Sequence, residues 1–249
     1  MANARFLFDD KWRTITNLTA TSEAGSQVIE NTQNPLSSRA WRSTSAVAQT
    51  ITASRASFDA DCLVIAGHNF TDAATVAVTT KLSTVTVTSF NMIINGTDLL
   101  VAWPAAAEID ELEIVITDTG NPAGYIQIGQ IMIGAKLELE DNFNYGVQFE
   151  YRRDISQQRT AGQGLRSSGT GIIKRQVAIN LEWLAESGRA ALKNALTAFG
   201  PAYPCFCSFY PGLGSQAETD YQFIAKPSDF VSAHWAANWN RAQLEFNEV

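Results

Sequence analysis

Between Phe58 and Gly134 the chain offers one short apolar or alternating run after another, each closed by turn residues, and no stretch with a helical period. Residues 62–66 are continuously apolar, 75–78 follow a polar turn, and 84–87 alternate threonine with valine. In 111–117, Leu112, Ile114 and Ile116 share one face and Glu111, Glu113 and Val115 the other. Gly120, Asn121, Pro122 and Gly124 then make a turn into the isoleucine-rich 125–133, which Gly129 interrupts. Runs about ten residues apart with no helix between them exclude a βαβ arrangement and imply an antiparallel sandwich or jelly roll. The first sixty residues carry less pattern. Trp12, Trp41 and the Thr/Ser-rich 42–57 are expected to form irregular loops and edge strands around that sandwich.

A differently built unit begins near residue 137. Val147, Phe149 and Tyr151 alternate with Gln148 and Glu150, and Val177, Ile179, Leu181 and Trp183 repeat the period of two. Between them, Arg152, Arg153, Arg159, Arg166, Lys174 and Arg175 face a single acid, Asp154, in a glycine-rich stretch with little apolar material. This reads as a long, mobile, basic hairpin loop. Leu184, Leu192, Ala195, Leu196 and Phe199 fall on one side of an amphipathic helix, which Gly200 and Pro201 stop. An aromatic strand follows in "YPCFCSFYP", then 221–225, then 235–246. The expectation is a mainly β protein of two domains, 1–136 a β sandwich and 137–249 a second β sandwich with one flanking helix.

Composition narrows the function classes. The chain is 45% hydrophobic and only 17% charged, so it folds, and a charge-poor surface is easiest to explain if neighbours cover part of it. A formal charge of -7 argues against wrapping duplex nucleic acid with the whole surface. Cys62, Cys205 and Cys207 are too few for a disulfide framework and read as buried thiols, and no run is long and apolar enough for a membrane helix, nor is there a leader pattern.

Catalytic signals are absent from the pattern. The two histidines, His68 and His234, have no metal-type partner at helical or strand spacing, and nucleophile, zinc and phosphate-loop motifs are missing. Asp59 and Asp61 could contribute to a calcium site, but no loop glycine follows, and a polar strand start is the simpler reading. The glycines of the basic stretch match no phosphate cradle. That stretch has three readings: it orders on an acidic surface of a neighbouring subunit, it faces a passage carrying nucleic acid, or it is merely solvated. No enzyme activity, metal or cofactor is expected.

Two stretches resemble known families. "WRST" at Trp41, "DCLVIAGHNFTDAATVAV" and "GYIQIGQIMIGAKLELE" are similar to the galactose-binding-like jelly rolls of phage tail proteins. The order "EYRRD", basic segment, "VAINLEWL", amphipathic helix, aromatic strand and closing "AQLEFNEV" resembles the tail-tube-like fold of distal tail proteins of long-tailed, siphovirus-like bacteriophages. The resemblance implies a homo-oligomeric ring, a hexamer, that joins the tail tube protein to the tail hub protein in the virion after assembly in the host cytoplasm. It makes 152, 153, 159, 166, 174 and 175 the subunit-interface residues. It also implies an alternative: a baseplate module that binds host-surface polysaccharide, for which Trp41, Asn69 and Trp103 are the candidate sugar contacts. In many distal tail proteins the ring-forming domain comes first, whereas here it comes last.

Overall fold

The computed structural model describes residues 3–35, 39–140, 143, 147–159, 163–200, 202–212, 215–228, 231–236 and 239–249. It is mainly β, with its strands in four antiparallel sheets. A five-stranded sheet runs Asn17–Ala20, Gln49–Ala60, Ala107–Thr117, Thr75–Leu82, Val85–Met92 in spatial order, and a three-stranded sheet runs Gln130–Gly134, Cys62–Ala66, Leu99–Ala102. Val76, Val78, Leu112, Ile114 and Ile116 of the first sheet pack on Leu63, Ile65, Leu100, Ile131 and Ile133 of the second. Trp12 and Trp41 are fully buried members of the same core. This is the expected sandwich. One correction concerns 42–57: Gln49–Ala60 is a long internal strand of the larger sheet, because Ile51 and Ala53 supply a buried face beneath the polar residues that disguise it.

The three-stranded sheet has no wet face. Cys62–Ala66 and Gln130–Gly134 are buried almost throughout, since alternate residues turn away from the sandwich core. Cys62, Val64, Leu99 and Met132 form a separate cluster with Leu7 and Phe206, which belong to the other unit. That continuous apolar character, visible in "CLVIA" and "IMIG", is the signature of a sheet covered on both sides.

The other unit is an eight-stranded sheet, in order Leu137–Glu138, Arg5–Leu7, Cys205–Ser208, Gln222–Pro227, Trp239–Glu248, Leu165–Leu184, Gln148–Arg159, with Val231–Ala236 also paired to Trp239–Glu248. The N-terminal strand Arg5–Leu7 therefore lies in this sheet, between residues 137–138 and 205–208, although a division of the chain at residue 136 assigns it to the sandwich. Phe6, Phe209, Phe223 and Phe246 make an aromatic core on one face, with Phe6 stacked on Phe246 at 5.3 Å and Phe209 edge-on to both at 6.0 and 5.8 Å. The helix Glu186–Phe199 lays Leu192, Ala195 and Leu196 on this core and ends where Gly200 takes a φ of 59° and donates its N–H to the Leu196 carbonyl at 2.8 Å. Leu7 and Phe206 point through the opposite face to the three-stranded wall. A short helix, Ser215–Asp220, lies between the strands Cys205–Ser208 and Gln222–Pro227.

The chain crosses from the large sheet into the sandwich at residues 8–11. Asp10 holds the crossing: its Oδ1 accepts the N–H groups of Trp12 at 3.0 Å and Ile133 at 3.1 Å, while Oδ2 is buried with no partner among the described residues. Gly134 is packed so closely there that a Cβ would sit 2.3 Å from the Asp9 carbonyl oxygen. Burial raises the Asp10 pKa from 3.8 to about 7, against the lowering pull of its two backbone hydrogen bonds. The folded chain thus keeps a proton that the unfolded chain releases near pH 4, and its stability falls as pH rises from there to about 7. Asp10→Asn removes the titration. The stability of the native sequence relative to this variant should drop by about 3 kcal/mol between pH 5 and pH 8 in denaturant melts; a pH-independent difference would contradict the account.

Candidate functional site

The most unusual surface grows out of the eight-stranded sheet. Leu165–Leu184 pairs with Gln148–Arg159 from Gln148↔Ala178 to Arg159↔Leu165, but with Trp239–Glu248 only from Gln176↔Asn247 inward. Beyond Tyr151↔Arg175 the two strands pair only with each other among the described residues. They form a ribbon about 30 Å long at the usual strand rise. The segment read as a mobile loop is therefore a β-hairpin, a correction with a clear cause: Ile155, Gln157, Arg159, Leu165 and Ser167 pair as strand residues, while Gly169 (φ 145°) and Gly171 (φ 69°) take the backbone angles of a bulge opposite 153–155. Those glycines serve register, where flexibility was expected.

Both faces of the ribbon are bare. Tyr151 and Leu165 are each 60% exposed and Ile172 is 58% exposed, and no described side chain in 150–159 or 163–174 is covered. Arg152 stands directly opposite Lys174 across the strands, and Arg153 lies beside them around a hollow of about 300 Å³. Like charges in directly opposed positions repel. Arg152 is within 2.7 Å of Glu150, both well exposed, so that pair contributes little. Arg153, Arg159, Arg166 and Lys174 have no ion-pair partner among the described residues.

Arg175 differs from the other five predicted interface residues. Its Nε donates to both Glu248 oxygens at 3.0 Å, its backbone N–H donates to Glu248 Oε2 at 2.6 Å, and its guanidinium lies 4.7 Å over the Phe223 ring. It anchors the ribbon to the sheet and is not available to a partner. It also borders a cleft of about 200 Å³ between the units, with Gly67, Asp98, Phe223 and Ile224 among its walls.

The three residues proposed to touch sugar are not brought together as a site. Trp41 is fully buried and donates Nε1–H to the Ser22 carbonyl at 3.1 Å, so neither ring face is open. Asn69 is an internal staple, donating to the Tyr125 carbonyl at 3.0 Å and accepting from the Gln127 N–H at 2.8 Å. Trp103 is half-buried at the wall between the units, 6.0 Å from Phe206 and under the Arg5 guanidinium. Each of the three is spent on packing or internal hydrogen bonding, which sequence cannot distinguish from a ligand contact.

The remaining polar candidates are structural too. His68 stacks on Phe70 at 4.2 Å, accepts its backbone N–H on Nδ1 at 3.2 Å, and is pushed down to a pKa of about 4 by burial, so it is neutral at pH 7. Asp61 is taken by Lys136, which approaches to 2.8 Å with its side chain and 2.7 Å with its backbone N–H. Cys205 and Cys207 lie with their sulfurs 3.7 Å apart on the buried face of one strand, and burial raises the Cys207 thiol well above its ordinary range. The side chain of His234 lies outside the described residues. No described helix is long and apolar enough to cross a membrane.

No family model and no curated protein matches this sequence. Solved structures do. A CBM32 carbohydrate-binding module from Clostridium perfringens, in complex with GalNAc-beta-1,3-galactose, is similar at 11% identity and a TM-score of 0.40, over 48% of this chain and 94% of that one. The family 32 module of C. perfringens NanJ, in complex with galactose, is similar at 12% and 0.42, over 53% and 99%. A Streptococcus pneumoniae fucose binding module is similar at 9% and 0.41, over 49% and 96%. Likenesses at this level carry no ligand across to this chain.

The ribbon's anchor and its free cations should separate experimentally. Arg175→Ala strands the Glu248 carboxylate and should cost about 1–3 kcal/mol in thermal or urea unfolding, whereas Arg159→Glu with Arg166→Glu should leave unfolding within about 0.5 kcal/mol of the native sequence. Equal losses in both variants would contradict this division of roles.

Proposed function

We propose that this protein is a non-enzymatic structural subunit that assembles with copies of itself, as a distal tail protein forming the ring that connects a phage tail tube to the tip hub. The observation that carries the reading is the ribbon. Two strands alone are at best marginally stable in water, and here they expose isoleucine, leucine and tyrosine together with unpaired cations. Such an element is sensible when a neighbouring molecule supplies the missing third strand or covering face. It is also firmly presented, since Arg175 and the long strand Leu165–Leu184 continue it into the core of an eight-stranded sheet.

The helix-flanked sheet with its projecting hairpin, joined to a jelly-roll sandwich, agrees with the element order on which the resemblance to tail proteins rests. Tail tube and hub proteins are the partners this role requires. A contact with host polysaccharide is the less supported reading, because its candidate residues are occupied inside the molecule.

Light scattering coupled to size exclusion, with electron microscopy of the same fractions, tests the proposal. Closed rings are expected, with masses near six times 27.1 kDa. Replacing residues 153–173 with an Asn-Gly turn should leave a folded single copy. A native protein of 27.1 kDa at every concentration, or a shortened one that still forms rings, would contradict it.

A further inference from the structure

The ribbon's charge has a counterpart elsewhere in the chain. On the five-stranded sheet, Asp59 stands directly opposite Glu108 across Gln49–Ala60 and Ala107–Thr117, both exposed. Glu111 and Glu113 lie further along the same sheet, away from the core, and share one cation, Lys81, at 2.6 and 3.1 Å. Asp110 accepts the Ser83 backbone N–H nearby at 2.8 Å. Asp59 and Glu108 have no ion-pair partner among the described residues.

Two like-charged cross-strand pairs of opposite sign are thus present in one chain, Arg152 with Lys174 and Asp59 with Glu108. Each costs stability where it stands, because opposed like charges repel. Within its own copy the basic pair has only the well-exposed Glu150, 2.7 Å from Arg152, and the ribbon's faces are bare, so it does not lie on its own sandwich. A second copy relieves both at once. The overall charge of -7, carried with a ribbon of five cations beyond the Glu248-bound Arg175 against Glu150 and Asp154, leaves the rest of the surface acidic and receptive to that ribbon.

We propose that the ribbon of one copy docks, through Arg152 and Lys174, on the acidic outer face of the five-stranded sheet of a second copy, at Asp59 and Glu108. This deepens the self-assembly reading above and rests on it. Each copy then donates one ribbon and receives one, a head-to-tail contact of the kind that closes into a ring. The occupant is another copy of this chain; a nucleic acid or an acidic partner protein would use the ribbon but would have no need of the carboxylate pair.

Charge reversal tests the pairing. One variant carries Asp59→Lys with Glu108→Lys, the other Arg152→Glu with Lys174→Glu, all exposed positions, with folding checked by circular dichroism. Each variant alone should associate at least about tenfold more weakly than the native protein, and an equimolar mixture should recover assembly, because each ribbon then meets a face of opposite sign. If the native protein assembles while the Asp59/Glu108 variant does so equally well, or the mixture fails to recover, the docking surface is wrong and self-assembly stands. A native protein that never associates overturns both.

Discussion

The sheet formed by Cys62–Ala66, Gln130–Gly134 and Leu99–Ala102 has no side on which water is allowed, and the rest of the architecture answers to that constraint. Its inner face completes the sandwich through Leu63, Ile65, Ile131 and Ile133. Its outer face, Cys62, Val64 and Met132, is equally apolar and would be a large exposed patch if the second sheet were removed. Leu7 and Phe206 cover it. They can do so because Arg5–Leu7 and Cys205–Ser208 are neighbouring strands, with Leu7 registered opposite Phe206. The first strand of the chain is thereby committed to the second sheet, and the crossing at Asp10 ties the two units a second time.

This shared wall gives the ribbon a stiff base. Residues of Leu165–Leu184 that lie inside the sheet are among the most buried in the protein, Val177 and Ile179 included, yet the same strand becomes exposed a few residues toward its start. Burial ends near Arg175, which is where the Glu248 and Phe223 contacts are concentrated. A strand that changes so sharply from core to bare ribbon directs its uncovered half outward, and the cations there are held at fixed spacing instead of being dispersed on a floppy loop. Interface charges arranged in this way set partner choice and orientation more than raw affinity.

Much of the fold could be read from the residues. Alternation at 111–117 and 177–183, the continuous run at 62–66 and the amphipathic stretch before Gly200 became the elements their periods indicate, while 125–133 divided at Gly129 into strands of two sheets, Gln127–Ile128 and Gln130–Gly134. What escaped were properties of pairing. Residues 42–57 read as irregular loops and edge strands because threonine, serine and arginine occupy the outward positions of the internal strand Gln49–Ala60. Residues 152–175 looked like loop because apolar content marks burial, and a ribbon without cover has little need of it. No local pattern tells Arg5–Leu7 which sheet to join. For the candidate site, the six basic residues were visible but not the separate role of Arg175, and tryptophans chosen for sugar stacking were core, since composition alone does not say which face of a ring is free. The opposition of Asp59 to Glu108 exists only once strand register is known.

The central claim is that one rigid body presents a ribbon which gains its cover from another copy. Peptide-resolved hydrogen exchange, run on dilute and on concentrated protein, addresses it most directly. Amides in 62–66 and 130–134 should exchange slowly at both concentrations, while those in 151–159 and 165–174 should exchange rapidly when dilute and become protected when concentrated. Ribbon amides that are equally protected at every dilution, or a wall that opens before the sheets on either side of it, would contradict the account.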